Sequence, residues 1–281
     1  MRKVQYMFLL ITLLHYSCGS TAQAPKSDIE ERFNQDKDLL LANFDCKTDV
    51  DDLHSVAAFA TLMAHPDYSG IQYHAVAGTY GTQSGLYVPP NELFQLAFGD
   101  NWTDAHANRP IALLKVKDRV SKILDSGGNI WIADAGQSDF SALLIKSIEQ
   151  ERPDIQTKVR FQVVQHSKWN ESHTSKEHLE YVKKNSSYHK IPDGNAVDNG
   201  TPGFRTYNYP YWRTEVKDKK IRKLWELAVS LGDQYNGKEG RYNNKAIANG
   251  GLDFSDLSET CFILGLEHIK DTAEFFESYG Q

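Results

Sequence analysis

The sequence predicts an α/β fold in three layers, a mostly parallel sheet with helices on both faces, and three observations predict it. The apolar run of residues 39–44 is short and nearly continuous rather than alternating, as a strand covered on both faces requires, and further strands are read over 71–77 and 129–135. The run before Asp45 gives way to a loop and then to Val56, Phe59, Ala60 and Met63 at helical spacing, the strand–loop–helix unit of such folds. The 281-residue chain is long enough to bury one large core of this kind.

Residues 1–24 have the plan of a secretory signal peptide. Arg2 and Lys3 precede an apolar segment from Met7 to Leu14, and Ala22-Gln23-Ala24 stands before Pro25. The expected product is a secreted or periplasmic single domain over 25–281, which is 257 residues after removing 24 from 281. Cys18, ahead of Gly19 and Ser20, offers a lipid-anchored alternative. The apolar segment is too short for a permanent membrane span. A net charge of −6 with dispersed basic residues argues against a nucleic-acid partner. A homo-oligomer stays open. Past the leader only Cys46 and Cys261 remain, as a disulfide or as two buried thiols.

Residues 27–38 are polar and read as a lead-in to the first strand. The second strand, 71–77, ends in the Gly-bounded turn Gly78-Thr79-Tyr80-Gly81. Short helices are predicted over 91–98 and 119–124, and a strand over 129–135 leads through Gly136 and Ser138 into the helix that contains Leu143 and Leu144. Arg152-Pro153 breaks that helix, and residues 158–165 read as the next strand. Residues 173–190 are polar and partly helical. From Phe204 to Trp212 five of nine residues are aromatic, which suits either a platform for a sugar or base or a loop pinned to a core. An amphipathic helix over 221–231 follows, then Ser255-Asp256-Leu257 at the start of an apolar helix face formed by Phe262, Ile263 and Leu266.

The stretch with the most chemistry is the loop after the first strand. Asp45, Asp49, Asp51 and Asp52 place four carboxylates within eight residues, and Lys47 alone cannot offset their repulsion. A helix N-terminus capped by Asp51 or Asp52 offers a partial positive charge. A hard divalent cation on oxygen ligands would offer more. The loop is no EF-hand, because Lys47 occupies its third position and no Gly-x5-Glu follows. An acid-phosphatase-like use of Asp49-Val50-Asp51 is disfavoured because the strand stops at Asp45.

This loop resembles the N-terminal signature of the nucleoside hydrolase superfamily, D-x-D-P-G-x-D-D at the end of the first strand. Asp45, Asp51 and Asp52 match its first, seventh and eighth positions, while Lys47 replaces the second Asp and Thr48-Asp49 replace Pro-Gly. A divergent nucleoside-hydrolase-like branch, D-x-G-G-D-x-D-D, fits better, since Asp45, Asp49, Asp51 and Asp52 all align and Ser55 falls where that branch often has Ser. Further along, Val76-Ala77-Gly78-Thr79 resembles V-A-G-N, with Thr79 in place of the ribose-contacting Asn. Gly136 matches the Gly of G-P-L-T-N, and Gln165-His166-Ser167 stand where the family has M-G-G. Ser255-Asp256-Leu257 resembles H-D-P, keeping the metal-binding Asp and replacing the His by Ser255.

The resemblance implies a nucleoside hydrolase-like fold and a Ca²⁺ cage of Asp45, Asp52 and Asp256 with Asp49 in reach. It implies Asp45 or Asp49 as the base that takes a proton from water, and an N-glycosidic bond that breaks through an oxocarbenium-like state. Asp51, Thr79, His166, Asn170 and Ser255 are the expected substrate contacts. The expected function is hydrolysis of nucleosides or related glycosides, and the alternative is a sugar- or nucleoside-binding protein that keeps the fold without the chemistry. The family's E-F-N motif is absent, so no substrate contact carries over to residues 193–212.

Overall fold

Leu39–Phe44 (β1) runs through the middle of the sheet because all six of its residues are buried, three against each face. The computed structural model describes residues 32–196 and 201–281; the expected signal peptide and Cys18 lie outside them. After β1 come α1 (Asp51–Ala64), β2 (Gln72–Ala77), α2 (Asn91–Phe98), β3 (Trp102–Asp104), α3 (Arg109–Asp125), β4 (Ile130–Ala135) and α4 (Asp139–Glu151). Then follow α5 (Thr157–Arg160), β5 (Phe161–Gln165), α6 (Lys168–His173), α7 (Lys176–Asn185) and β6 (Ser187–Lys190). The last third holds β7 (Arg205–Thr206), α8 (Trp212–Glu215), α9 (Lys219–Tyr235), α10 (Lys245–Ala248), β8 (Leu252–Asp253), a 3-10 turn (Ser255–Leu257), α11 (Ser258–Leu264) and α12 (Thr272–Tyr279).

The main sheet has six strands in the order β3-β2-β1-β4-β5-β6, and every pair in it is parallel. Helices cover both faces, which makes the three-layer α/β fold. Leu39, Leu41, Ile130, Ile132, Phe161 and Val163 pack with Val116 and Val120 of α3, Phe140 and Ile145 of α4 and Val182 of α7. On the opposite face Phe44 meets Phe59 of α1 and Phe94 of α2 edge-on. Over α1 lies α9, where the Trp225 Nε1–H donates to Thr61 Oγ1 at 3.0 Å. No helix among the described residues is long and apolar enough to cross a membrane.

The structure differs from the sequence reading at several boundaries. The strand predicted over 158–165 begins only at Phe161, because Thr157–Arg160 forms one helical turn. The helix predicted over 119–124 is the C-terminal part of α3, which starts at Arg109 where the Asn108 side chain accepts the Ile111 N–H and Pro110 tolerates the first turn. The edge strands β3 and β6 were not predicted. The cap expected from Asp51 or Asp52 is not there, since Val50 holds that position and both aspartates lie inside the first turn of α1. In the aromatic stretch Phe204, Tyr209 and Trp212 are buried, with Phe204 stacked on Phe254 at 4.6 Å, so those rings pin the loop to the core. Cys46 and Cys261 are free, buried thiols.

Candidate functional site

Strand order reverses direction between β1 and β4, so the loops leaving their carboxyl ends diverge and open a crevice, the usual ligand position of an open α/β sheet. Asp45 follows β1, Gly136 follows β4 and His166 follows β5. All three line one cavity of about 550 Å³, together with Asp49, Asp51, Asp52, Asn170 and Asp256.

Asp51, Asp52 and Asp256 each present a carboxylate oxygen within 4.8 Å of the others. They come from two distant segments. Asp51 and Asp52 open α1, and Asp256 sits in the 3-10 turn packed against that helix. Asp52 is 3% exposed, and its Oδ2 accepts the Cys46 N–H at 2.6 Å while its Oδ1 is buried without a partner. A trio of oxygen donors with one orphaned buried oxygen could hold a metal ion.

Asp45 stands beside this trio and touches Asp52. Its Oδ1 accepts the Lys47 N–H at 2.7 Å, and its Oδ2 accepts Gln137 Nε2 at 2.9 Å. The closest cluster is thus Asp51, Asp52 and Asp256, where the resemblance implied Asp45, Asp52 and Asp256. Gln137 can be oriented in one way only, because its Oε1 accepts the Gly81 N–H at 3.0 Å. The Lys47 ammonium lies 4.3 Å above the Tyr80 ring, and its charge still favours the ionised form of Asp45.

Burial pushes these acids up. Asp45 is raised to about 6. Asp49 is raised to about 7 by burial and by the neighbouring Asp253. Asp51 and Asp52 stand well above the ordinary carboxylate range, first through burial and then through repulsion, led by Asp49 for Asp51 and by Asp256 for Asp52. Asp256 is raised by burial and by Glu259, with His166 opposing.

His166 is the cationic counterpart. Burial alone would lower it, but Glu259 and Asp256 overcome that and raise it to about 9. Glu259 Oε1 accepts both the His166 backbone N–H and its Nδ1–H at 2.8 Å, which leaves Nε2 directed toward Asp256 Oδ1 at 4.0 Å. Asn170 lies one helical turn on and donates to the His166 carbonyl at 3.4 Å.

The remaining predicted residues take other places. Asp49 lines the cavity and meets Asn244 Nδ2 at 3.3 Å, and the same amide donates to the fully buried Asp253 at 2.8 Å. Ser255 donates its hydroxyl to Asp253 Oδ1 at 2.9 Å and does not line the cavity. Thr79 is buried behind the strand ends, outside the lining, with its N–H donated to the Phe44 carbonyl.

The sequence reading did not name Glu259, Gln137, Arg205 or Tyr242. Glu259 carried one usable signal, lying three residues after Asp256 at the start of a helix, where the two face the same side. Arg205 pairs with Asp253 across 3.3 Å, a partner 48 residues away that only the fold brings near. No family model, no curated protein and no solved structure matches this chain.

Proposed function

We propose that the chain is a secreted, divalent-metal-dependent hydrolase of glycosidic bonds, acting on nucleosides or related glycosides. One observation carries this reading: a polar cavity whose floor joins a cation-sized carboxylate trio to a separate base, Asp45, and a buried imidazolium, His166. Asp51, Asp52 and Asp256 would hold a cation such as Ca²⁺, which when bound supplies a fixed positive charge that orients sugar hydroxyls and acidifies a water.

Asp45 takes the proton of the attacking water. An acid raised to about 6 is ionised at neutral pH yet basic enough for that task, and Gln137 keeps its carboxylate in one orientation. Asp49, raised to about 7, is the second candidate base. His166 donates from Nε2 to the departing group, while Glu259 holds Nδ1 and sustains the charge. The surrounding carboxylates stabilise the positive charge that develops on the sugar ring. Asn170 on the same wall offers an amide to the substrate.

The test is release of free sugar from a panel of nucleosides and O-glycosides, with added Ca²⁺ and after chelation. Turnover should require the metal and fall about 10²- to 10⁴-fold in Asp45→Asn. Hydrolysis indifferent to both would contradict the proposal. One feature favours the non-catalytic alternative: Ser255, at the position of the family's His, spends its hydroxyl on Asp253. Saturable, metal-dependent binding of the panel without turnover would select that alternative.

A further inference from the structure

One wall of the cavity is chemically unlike the floor. Trp169 is 49% exposed, although a large indole is normally covered, and it lines the cavity beside the carboxylates. The ring does not hang free. His173, one helical turn on in α6, stacks on it at 3.9 Å and 24°, and the same residue is anchored where its carbonyl accepts the Thr82 N–H and Oγ1–H. His173 therefore covers one indole face and holds the other available, a flat apolar surface of fixed orientation.

A second exposed ring, Tyr242 at 51%, also lines the cavity. Its backbone N–H donates to Thr48 Oγ1 at 3.1 Å, which ties it to the loop after β1. Trp169 follows β5, and β4 lies between those strands. The rings therefore rise from opposite rims of the acidic floor.

We propose that the Trp169–His173 stack is the platform for the leaving group, and that this group is a pyranose: the substrate is a carbohydrate with an O-glycosidic bond. The proposal rests on the glycosidic-bond reading above and narrows it. A pyranose has one face of C–H bonds, which suits the one open face of the Trp169 indole, and a rim of hydroxyls that both donate and accept. Asn170, Gln83 and Asp49 in the same cavity offer both kinds of partner. A nucleobase has two π faces and no hydroxyls, and would leave one face against this polar floor. Rings on two rims also suit a chain of sugars better than a single nucleoside. In the reaction, the water oxygen bonds to the anomeric carbon as the bond from that carbon to the leaving oxygen breaks. Asp45 receives the water's proton, and the leaving oxygen takes one from His166.

Tryptophan emission reads this platform, because Trp131, Trp212 and Trp225 are at most 2% exposed, the half-buried Trp102 stands on the edge strand β3 outside the cavity lining, and Trp169 is the tryptophan that lines the cavity. The Ca²⁺-loaded chain is applied to an array of oligosaccharides of varied linkage and titrated in solution with the best binders, and with inosine, adenosine, guanosine and uridine. The expected result is saturable oligosaccharide binding with a shift in emission, weakened about 10-fold or more in Trp169→Ala and by no more than about threefold in Trp169→Phe. Ca²⁺ affinity should stay unchanged in both variants. Binding confined to nucleosides, binding to none of the probes, or equal oligosaccharide affinity in Trp169→Ala would overturn the platform. Hydrolysis of nucleosides in that case would leave the broader hydrolase reading standing, whereas failure to bind Ca²⁺ would strike that reading instead.

Discussion

At Gly136 the chain has no room for a side chain. Its φ is +139°, and a Cβ built there would lie 2.7 Å from the Asp45 Cβ and Oδ2. Gly136→Ala should cost about 1–3 kcal/mol in urea denaturation through backbone strain, and should weaken Ca²⁺ binding by displacing Asp45 against Asp52. The His166–Glu259 pair makes a second demand at this scale. Both side chains are almost wholly buried, so Glu259→Ala leaves an imidazolium without its partner, and a loss of about 3–5 kcal/mol is expected by the same measurement. A loss under about 1 kcal/mol would mean that His166 is neutral in the folded chain. Asp45, Asp49, Asp51 and Asp52 stood out in the sequence because acids crowd after a strand end, and Asp256 through its resemblance to the H-D-P motif alone. Gln137 did not stand out, and Glu259 showed only its spacing from Asp256, because their roles come from partners 92 and 93 residues away that only the fold supplies.

Among the elements, the interior strands were the readable ones. β1, β4 and β5 are buried throughout, which forces apolar runs into the sequence. The edges carry no such constraint. β6 reads Ser-Tyr-His-Lys, each residue at least partly exposed, and β3 is three residues long, so neither leaves a pattern. The aromatic run from Phe204 was ambiguous for a related reason, since composition does not say which rings turn inward. Helix α1 links core to site, carrying Asp51 and Asp52 at one end and Thr61, which accepts from Trp225, near the other. Thr61→Val would leave the buried indole N–H unsatisfied at a cost of about 1–3 kcal/mol, with Ca²⁺ affinity unchanged. A parallel loss of affinity would mean that the site and the α1–α9 contact are one cooperative unit.

For the whole molecule, the buried acids and histidines in and around the central strands make stability depend on pH in a definite direction. Asp49 and Asp134, both raised to about 7, and His166, raised to about 9, hold protons in the folded chain that the unfolded chain has released. Their stabilisation is present at low pH and is lost as pH rises through those values. His54, lowered to about 3, and His74, lowered to about 4, act oppositely, but only below the ordinary histidine value of 6.5. Between pH 6.5 and 9 the melting temperature of the metal-free chain should therefore fall, and saturating Ca²⁺ should flatten the slope by stabilising the ionised acids. A melting temperature that rises over this interval without metal would contradict the charge assignment.

Titration calorimetry with Ca²⁺ on the intact chain and on Asp52→Ala decides whether the acidic cluster holds a divalent cation. The expected result is saturable heat from the intact chain that disappears in the variant, because Asp52 Oδ1 is the buried oxygen of this trio without a partner. No heat from the intact chain, or equal heat from both, would contradict it.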